Sequence, residues 1–273
     1  MIDASLQKKV AIITGASRGI GKAIALKFAR QGINCVVAAK TVKHSDRTPG
    51  TIYDTVQEIE AANAQALAVQ TDVRDEAQIE NLVWKAVERF GRIDILVNNA
   101  GAIVWRSVED MPVRRFDLMM QINYRAPYLL AHYALPFLRK QVSAFIINLS
   151  PPPHVRGGLA TETWQDRTCY LMSKFGMSHL TMGLAEELRD DNIAVNSLWP
   201  THIIDSQATR VFAEVFDAGK ATTWYSPELV AEACVHIVHS LPADLTGQML
   251  IVEDFLKDKG ITDLTAYEVP CPV

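Results

Sequence analysis

The chain is poor in cysteine, carries little net charge and has no long apolar run, and each shortage narrows what it can be. It has 273 residues and four cysteines, Cys35, Cys169, Cys234 and Cys271. Their scattered spacing fits neither a metal site nor a disulfide framework. Cys35 and Cys234 sit in apolar runs and read as small core residues; packing is also the expected role of Cys169. No metal is expected. Net charge is −4 with both signs interspersed, so no nucleic-acid partner is indicated. No run of eighteen apolar residues occurs, which argues against a membrane span. The first nine residues lack the apolar core of a signal peptide. The last four, Pro270-Cys271-Pro272-Val273, match no peroxisomal or retention address. The expected compartment is the reducing cytoplasm. There is no internal repeat, low-complexity tract or linker, so residues 1–273 read as a single domain.

What is present is a regular alternation of strand-like and helix-like segments. The strands fall at 9–13, 34–39, 64–70, 93–97, 144–149, 193–198 and 248–252. Helical periodicity falls at 20–29, 51–62, 76–90, 113–139, 169–189 and 227–240, the long one expected to bend near Pro127 or Pro136. Such alternation predicts an α/β fold: a doubly wound, Rossmann-type parallel sheet of about seven strands with helices on both faces. Two stretches are irregular. Residues 41–50 form a polar loop. Residues 201–225 follow a strand's C-terminal end and carry Ile203, Ile204, Val211, Phe212, Val215, Phe216 and Trp224. This second stretch reads as a substrate lid that excludes water, or as a helix packed permanently on the domain.

Between the first strand and the first helix lies Thr14-Gly15-Ala16-Ser17-Arg18-Gly19-Ile20-Gly21. Strand, glycine turn and helix together make a phosphate site. Amide N–H groups at a helix N-terminus face the anion, and the macrodipole favours its charge. Candidate cofactor contacts are Gly15, Ser17, Arg18, Gly19, Ile20 and Gly21. A carboxylate near the end of the second strand would take the ribose 2′-hydroxyl of NAD. Here that end reads Ala38-Ala39-Lys40-Thr41. Lys40 and Arg18 are placed to attract a 2′-phosphate, which a carboxylate would repel. The expected cofactor is therefore NADP(H); ordinary solvated charges are the plain alternative.

Tyr170 and Lys174 are four residues apart and share a helix face. A phenol titrating near 10 is a poor base at neutral pH. A nearby ammonium should lower that value and let the phenol exchange a proton with a carbonyl or alcohol oxygen. Lys174 can also bond a cofactor ribose. The pair means little by itself and gains weight from following the fifth strand of a nucleotide fold.

With these motifs in order, the chain resembles the short-chain dehydrogenase/reductase family over nearly its whole length. The resemblance implies roles for further residues. Asp72 and Val73 match the family's adenine contact, and Asn98-Asn99-Ala100-Gly101 its conserved turn, adding Asn99, Ala100 and Gly101 to the cofactor set. Asn123 matches the asparagine that props a water and the lysine. Asn196-Ser197-Leu198-Trp199-Pro200 resembles the strand before the nicotinamide loop, which adds Pro200. Three stretches are more specifically similar to the hydroxysteroid dehydrogenase-like protein 2 subgroup, an NADP-linked group that often adds a sterol-carrier domain. They are 38–41 with 50–53, 148–152, and 198–200. No such added domain is expected within these residues. The family also implies a homodimer or homotetramer packed through helices 113–139 and 169–189.

Two departures matter. A serine that bonds the substrate oxygen normally follows the fifth strand. Here the segment is Ser150-Pro151-Pro152-Pro153, and the usual position falls on Pro151, which has no donor. Either Ser150 turns inward and serves, or His154, Thr163 or Thr168 does, or the donor is missing; Ser150 is the working choice. Glycine usually follows the later proline, whereas this chain has Thr201-His202-Ile203-Ile204-Asp205-Ser206. Ser206 is the candidate carboxamide ligand, Ile204 a candidate nicotinamide contact, and His202 is left unassigned. The expected activity is NADP(H)-dependent hydride transfer to a carbonyl or from a secondary alcohol, with Tyr170, Lys174, Asn123 and Ser150 as catalytic residues. An apolar substrate is expected from the 201–225 segment; a steroid or fatty acyl compound is suggested by the subgroup name alone. The rival is a nucleotide-binding sensor or scaffold with little turnover. An epimerase or dehydratase on the same fold would want a larger C-terminal part.

Overall fold

The computed structural model describes residues 6–45, 49–153, 165–210 and 223–271. Seven strands form one parallel sheet: β1 Val10–Thr14, β2 Asn34–Ala39, β3 Ala66–Gln70, β4 Ile95–Asn98, β5 Ala144–Asn148, β6 Ile193–Trp199 and, after two short strands named below, β9 Met249–Ile251. The order is β3-β2-β1-β4-β5-β6-β9. The winding reverses between β1 and β4, and in open α/β sheets that crevice, at the carboxyl ends, is where ligands bind.

Helices cover both faces because the strands are apolar on both. Five strands (β1, β2, β4, β5 and β6) are dominated by Val, Ile, Leu and Ala, the run expected of strands buried on two sides. On one face pack α1 Gly19–Arg30 and α8 Glu228–Val238, with Ile24, Phe28, Leu229, Val230 and Cys234 all fully buried. On the other pack α3 Glu76–Phe90, α5 Ala126–Leu138 and α6 Thr168–Glu187, through residues such as Ile79, Leu82, Leu130 and Leu184. Burial raises the thiols of Cys35 and Cys234, as their core placement requires. Local chemistry sets the ends. Thr51 and Asp54 form a reciprocal capping box on α2 Ile52–Ala61. Asp75 caps α3, which stops at Gly91 with φ +74°. At the amino ends of the strands a fully buried Asp94 accepts from Val10 N at 2.9 Å and from Arg92 Nε at 2.8 Å.

One expectation is corrected. The 113–139 helix is not a single α-helix bent at a proline: α4 Val113–Met120 passes into a π-helical turn, Gln121–Arg125, before α5. Pro127 lacks the N–H that would bond the carbonyl of Asn123 four residues earlier. An extra residue is accommodated there, and Ala126 N donates back to Gln121 O. The described part of 201–225 is a loop that carries two short strands. β7 Ile203–Ile204 and β8 Trp224–Tyr225 pair in parallel, with β10 Glu268–Val269 antiparallel on β8. A helical segment, α7 Gln207–Arg210, follows β7. Residues 211–222, including Val211, Phe212, Val215 and Phe216 of the expected lid, lie outside the described residues. Beyond β9 the chain makes α9 Val252–Asp258, which the sequence reading left out. Among the described residues no helix is long and apolar enough to cross a membrane.

Candidate active site

The glycine turn sits at the switch point and is locked to the neighbouring strand. Gly15 and Gly19 have φ of +68° and +55°, where side chains are strained. A Cβ on Gly21 would come within 2.5 Å of Asn99 Nδ2 and 2.6 Å of Gly15 O. Asn99 Nδ2 donates to Thr14 O at 2.8 Å, and Thr14 Oγ1 accepts from Asn99 N and Ala100 N, each at 3.1 Å. The turn after β4 thus holds the turn after β1. Ser17 is buried, and Ile20, the second residue of α1, packs on the core. The first amides of α1 have no helical acceptor, which fits a phosphate group.

Beside the glycine turn Arg18 is half-buried, and that burial lowers its pKa. It donates to Pro49 O at 3.1 Å and to Thr41 Oγ1 at 3.0 Å, which brings it to the residue beside Lys40. Lys40 is exposed, and its charge reaches Asp72. Asp72 is paired with Arg74, whose hydrogen bonds hold the carboxyl below its ordinary value. Val73 is buried next to it. Arg18, Lys40, Asp72 and Val73 therefore lie near the carboxyl ends of β2 and β3.

The π-helical turn presents Asn123 inward, fully buried. Its Oδ1 accepts from Ala102 N at 2.8 Å, and its Nδ2 donates to Ala102 O at 2.8 Å and Ser173 Oγ at 2.9 Å. Ser173 Oγ donates to Tyr170 O at 2.6 Å. Gly101 lies beside this contact: a Cβ there would lie 3.6 Å from Asn123 Oδ1 and 3.8 Å from Lys174 Nζ. Asn123, Gly101 and Lys174 are thus brought together.

Tyr170 and Lys174 lie one turn apart on α6, both buried. Lys174 Nζ donates to Leu149 O at 2.8 Å and lies 5.8 Å from the Trp199 ring centroid. Burial pushes its ammonium down to about 8. Burial also raises the phenol of Tyr170; the charge that acts against this is that of Arg167. Without a bound cofactor the phenol is thus raised rather than lowered, and the cation acting against that rise is Arg167, at the N-terminal end of α6. Arg167 is itself buried, 4.5 Å from the Trp105 ring centroid. Sequence reasoning missed it, although its position three residues before Tyr170 puts it on the same helical face. Ser173, at i+3 from Tyr170, was missed with the same signal available.

After β5, Ser150 is fully buried, and among the described residues its Oγ has no hydrogen-bond partner. Pro151 O accepts from Ser178 Oγ at 2.6 Å, which pins the proline at the usual donor position against α6. Thr168 opens α6; His154 and Thr163 lie outside the described residues. Across the cleft, Pro200 is buried after β6. Ser206 Oγ lies 3.0 Å from Thr209 Oγ1, and Thr209 Oγ1 donates to Ile204 O at 2.6 Å. A Cβ on Gly19 would meet Ser206 Cβ at 3.4 Å, so the loop after β6 ends against the glycine turn. Among the described residues, no three His, Cys, Asp or Glu side chains converge as a metal site would.

Comparison with known proteins agrees with this geometry. The family model for short chain dehydrogenases matches residues 9–214. A hydroxysteroid dehydrogenase-like protein 2 of Rattus norvegicus is 45% identical over 258 residues, covering 94% of this chain and 47% of the relative. The chain thus spans about half the length of that relative. A solved structure of a dehydrogenase from Xanthomonas campestris superposes with a TM-score of 0.88 at 40% identity, covering 97% of this chain and 94% of the other. A short chain dehydrogenase of Burkholderia cenocepacia, solved in complex with NADP, gives 0.78 at 28% identity, over 90% and 96% of the two chains. Strand order, glycine turn, buried asparagine and tyrosine–lysine pair occur together in one parallel sheet, and the chain belongs to the short-chain dehydrogenase/reductase family, whose members are nicotinamide-dependent oxidoreductases.

Proposed function

We propose that the protein is an NADP(H)-dependent oxidoreductase acting on a carbonyl or secondary alcohol, with Tyr170 as general acid/base. The observation that carries the reading is the buried Tyr170, Lys174 and Asn123, gathered beside Gly101 at the carboxyl ends of β4 and β5. A bound nicotinamide would supply the hydride. Burial keeps the Tyr170 phenol protonated, so in the reducing direction it is ready to donate to the substrate oxygen. Lys174 has donors beyond the one given to Leu149 O and is placed to hold a ribose hydroxyl. Asn123 fixes the backbone at Ala102, and its own carbonyl, deprived of an α-helical donor by Pro127, is suited to hold a relay water. Ser150 is the substrate-orienting donor, supported by its buried hydroxyl without a described partner. Ser206 and Pro200 flank the nicotinamide end. The 2′-phosphate of NADP is assigned to Lys40 and Arg18, on the charge at the end of β2 and the lack of a carboxylate there. The substrate is apolar, on the strength of the Met119, Phe116, Trp105 and Trp199 cluster around Tyr170. The remaining parts of the reading are a homodimer or homotetramer, a cytoplasmic location and a single catalytic domain with a substrate lid about 201–225.

NADPH oxidation by wild type and Tyr170→Phe across aldehydes, ketones and quinones tests the chemistry, with NADPH and NADH affinities measured in parallel. Turnover lost in the variant with binding retained is expected. Tighter NADH than NADPH binding would refute the phosphate assignment. Pro151 favours a second reading, a cofactor-binding sensor or scaffold. Tight NADPH binding without any Tyr170-dependent turnover would select it.

A further inference from the structure

Glu253 is a buried carboxylate outside the acid/base machinery. It is 3% exposed, at the second residue of α9, immediately beyond β9. Its Oε1 and Oε2 accept from Thr201 N at 3.0 and 3.1 Å. Oε1 also accepts from His202 N at 3.0 Å and lies 2.9 Å from His202 Nδ1. The His202 ring stands edge-on against Tyr225, with centroids 4.8 Å apart at 74°. A carboxylate is expensive to bury unless donors surround it, and here two backbone amides and a ring nitrogen converge on one group.

The segment held in this way has a defined course. It leaves β6 at Trp199, whose ring lies 5.8 Å from Lys174 Nζ. Trp199 is in register with Ile251 on β9, so the loop and α9 emerge side by side. Four residues beyond His202, Ser206 reaches the glycine turn at Gly19. The segment therefore bridges the tyrosine–lysine pair and the phosphate turn, and Glu253 fixes its midpoint from behind. Fixing a loop before ligand arrives removes an ordering penalty from binding.

We propose that Glu253, acting with His202, is a positioning residue for the nicotinamide half of the cofactor. It holds residues 200–206 across the cleft and leaves the adenosine half to Arg18, Lys40 and Asp72. This rests on the functional reading above. The test compares Kd for NADPH with Kd for adenosine 2′,5′-bisphosphate, which lacks the nicotinamide, using intrinsic tryptophan fluorescence on the full chain; 5′-ADP replaces the bisphosphate if NADH proves the tighter cofactor. Glu253→Gln should weaken NADPH about tenfold, the worth of one charge-assisted hydrogen bond, and leave the bisphosphate unchanged. His202→Ala keeps both backbone bonds and should give a smaller loss with the same selectivity, which also covers a Glu253→Gln variant that fails to fold. Equal weakening of both ligands, or no weakening of either, would overturn the proposal. Wild type that binds neither NADPH nor NADH would instead overturn the functional reading.

Discussion

Replacing Lys174 with methionine should stabilise the cofactor-free protein at neutral pH while destroying its activity. The lysine is 5% exposed, and burial lowers its pKa from 10.5 to about 8. The penalty for holding the ammonium inside corresponds to roughly 3 kcal/mol at neutral pH. Methionine carries no such penalty but leaves Leu149 O without its donor, an offset of about 1–2 kcal/mol. The net gain at pH 7 is on the order of 1–2 kcal/mol, a Tm rise of about 2–8 °C for a domain of this size. The sign reverses with pH. Between about 8 and 10.5 the unfolded chain binds more protons at this site than the folded one, so wild-type stability rises through that window. Above it the neutral amine still donates to Leu149 O, and wild type overtakes the variant. Urea unfolding of both proteins at several pH values from 7 to 10.5 reads this as a difference of differences, in which titrations common to both cancel. A difference between the two proteins that does not change with pH would refute the reasoning. Function then explains why a destabilising charge is retained.

Three further outcomes follow from the same packing. Ser150→Ala should lower kcat by about 10²–10³ if the hydroxyl meets the developing oxyanion, with stability unchanged or slightly raised, because the Oγ has no described partner; unaltered kcat in steady-state assays would reassign the donor. Gly21→Ala should abolish NADPH binding measured by fluorescence, since its Cβ would lie 2.6 Å from the backbone oxygen of Gly15, which cannot move without opening the turn; retained affinity would refute it. Asp94→Asn should cost about 2–3 kcal/mol in denaturant unfolding, below the 3–5 kcal/mol of a fully buried pair, because Arg92 is 43% exposed and water can take up its charge; a loss under 1 kcal/mol would refute it.

The sequence by itself determined the strand–helix alternation, and with it the parallel sheet. Those signals are local: apolar runs such as Cys35-Val36-Val37-Ala38 have no other stable environment, and the glycine turn and the Tyr170–Lys174 spacing lie within one or two turns of chain. The expected helix at 76–90 and strand at 34–39 match the observed bounds. Prolines were read correctly as interruptions of the 113–139 helix but with the wrong result. Pro127 deletes one N–H, and whether the helix bends or takes up an extra residue depends on what Asn123 meets at Ala102 and Ser173. Tertiary structure alone decided which charges surround Tyr170. Spacing puts Lys174 on its face, but only the fold shows that one of its donors goes to Leu149 O, just past a strand end distant in sequence, and that the charge of Arg167 acts on the buried phenol. The short β7-β8-β10 sheet was also invisible, because two-residue strands carry no periodicity and pair segments far apart in the chain. The same holds for Glu253: a carboxylate opening an unremarkable helix becomes informative only when the fold lays Thr201 and His202 against it, because hydrogen bonding and burial are properties of neighbours that only folding brings into contact.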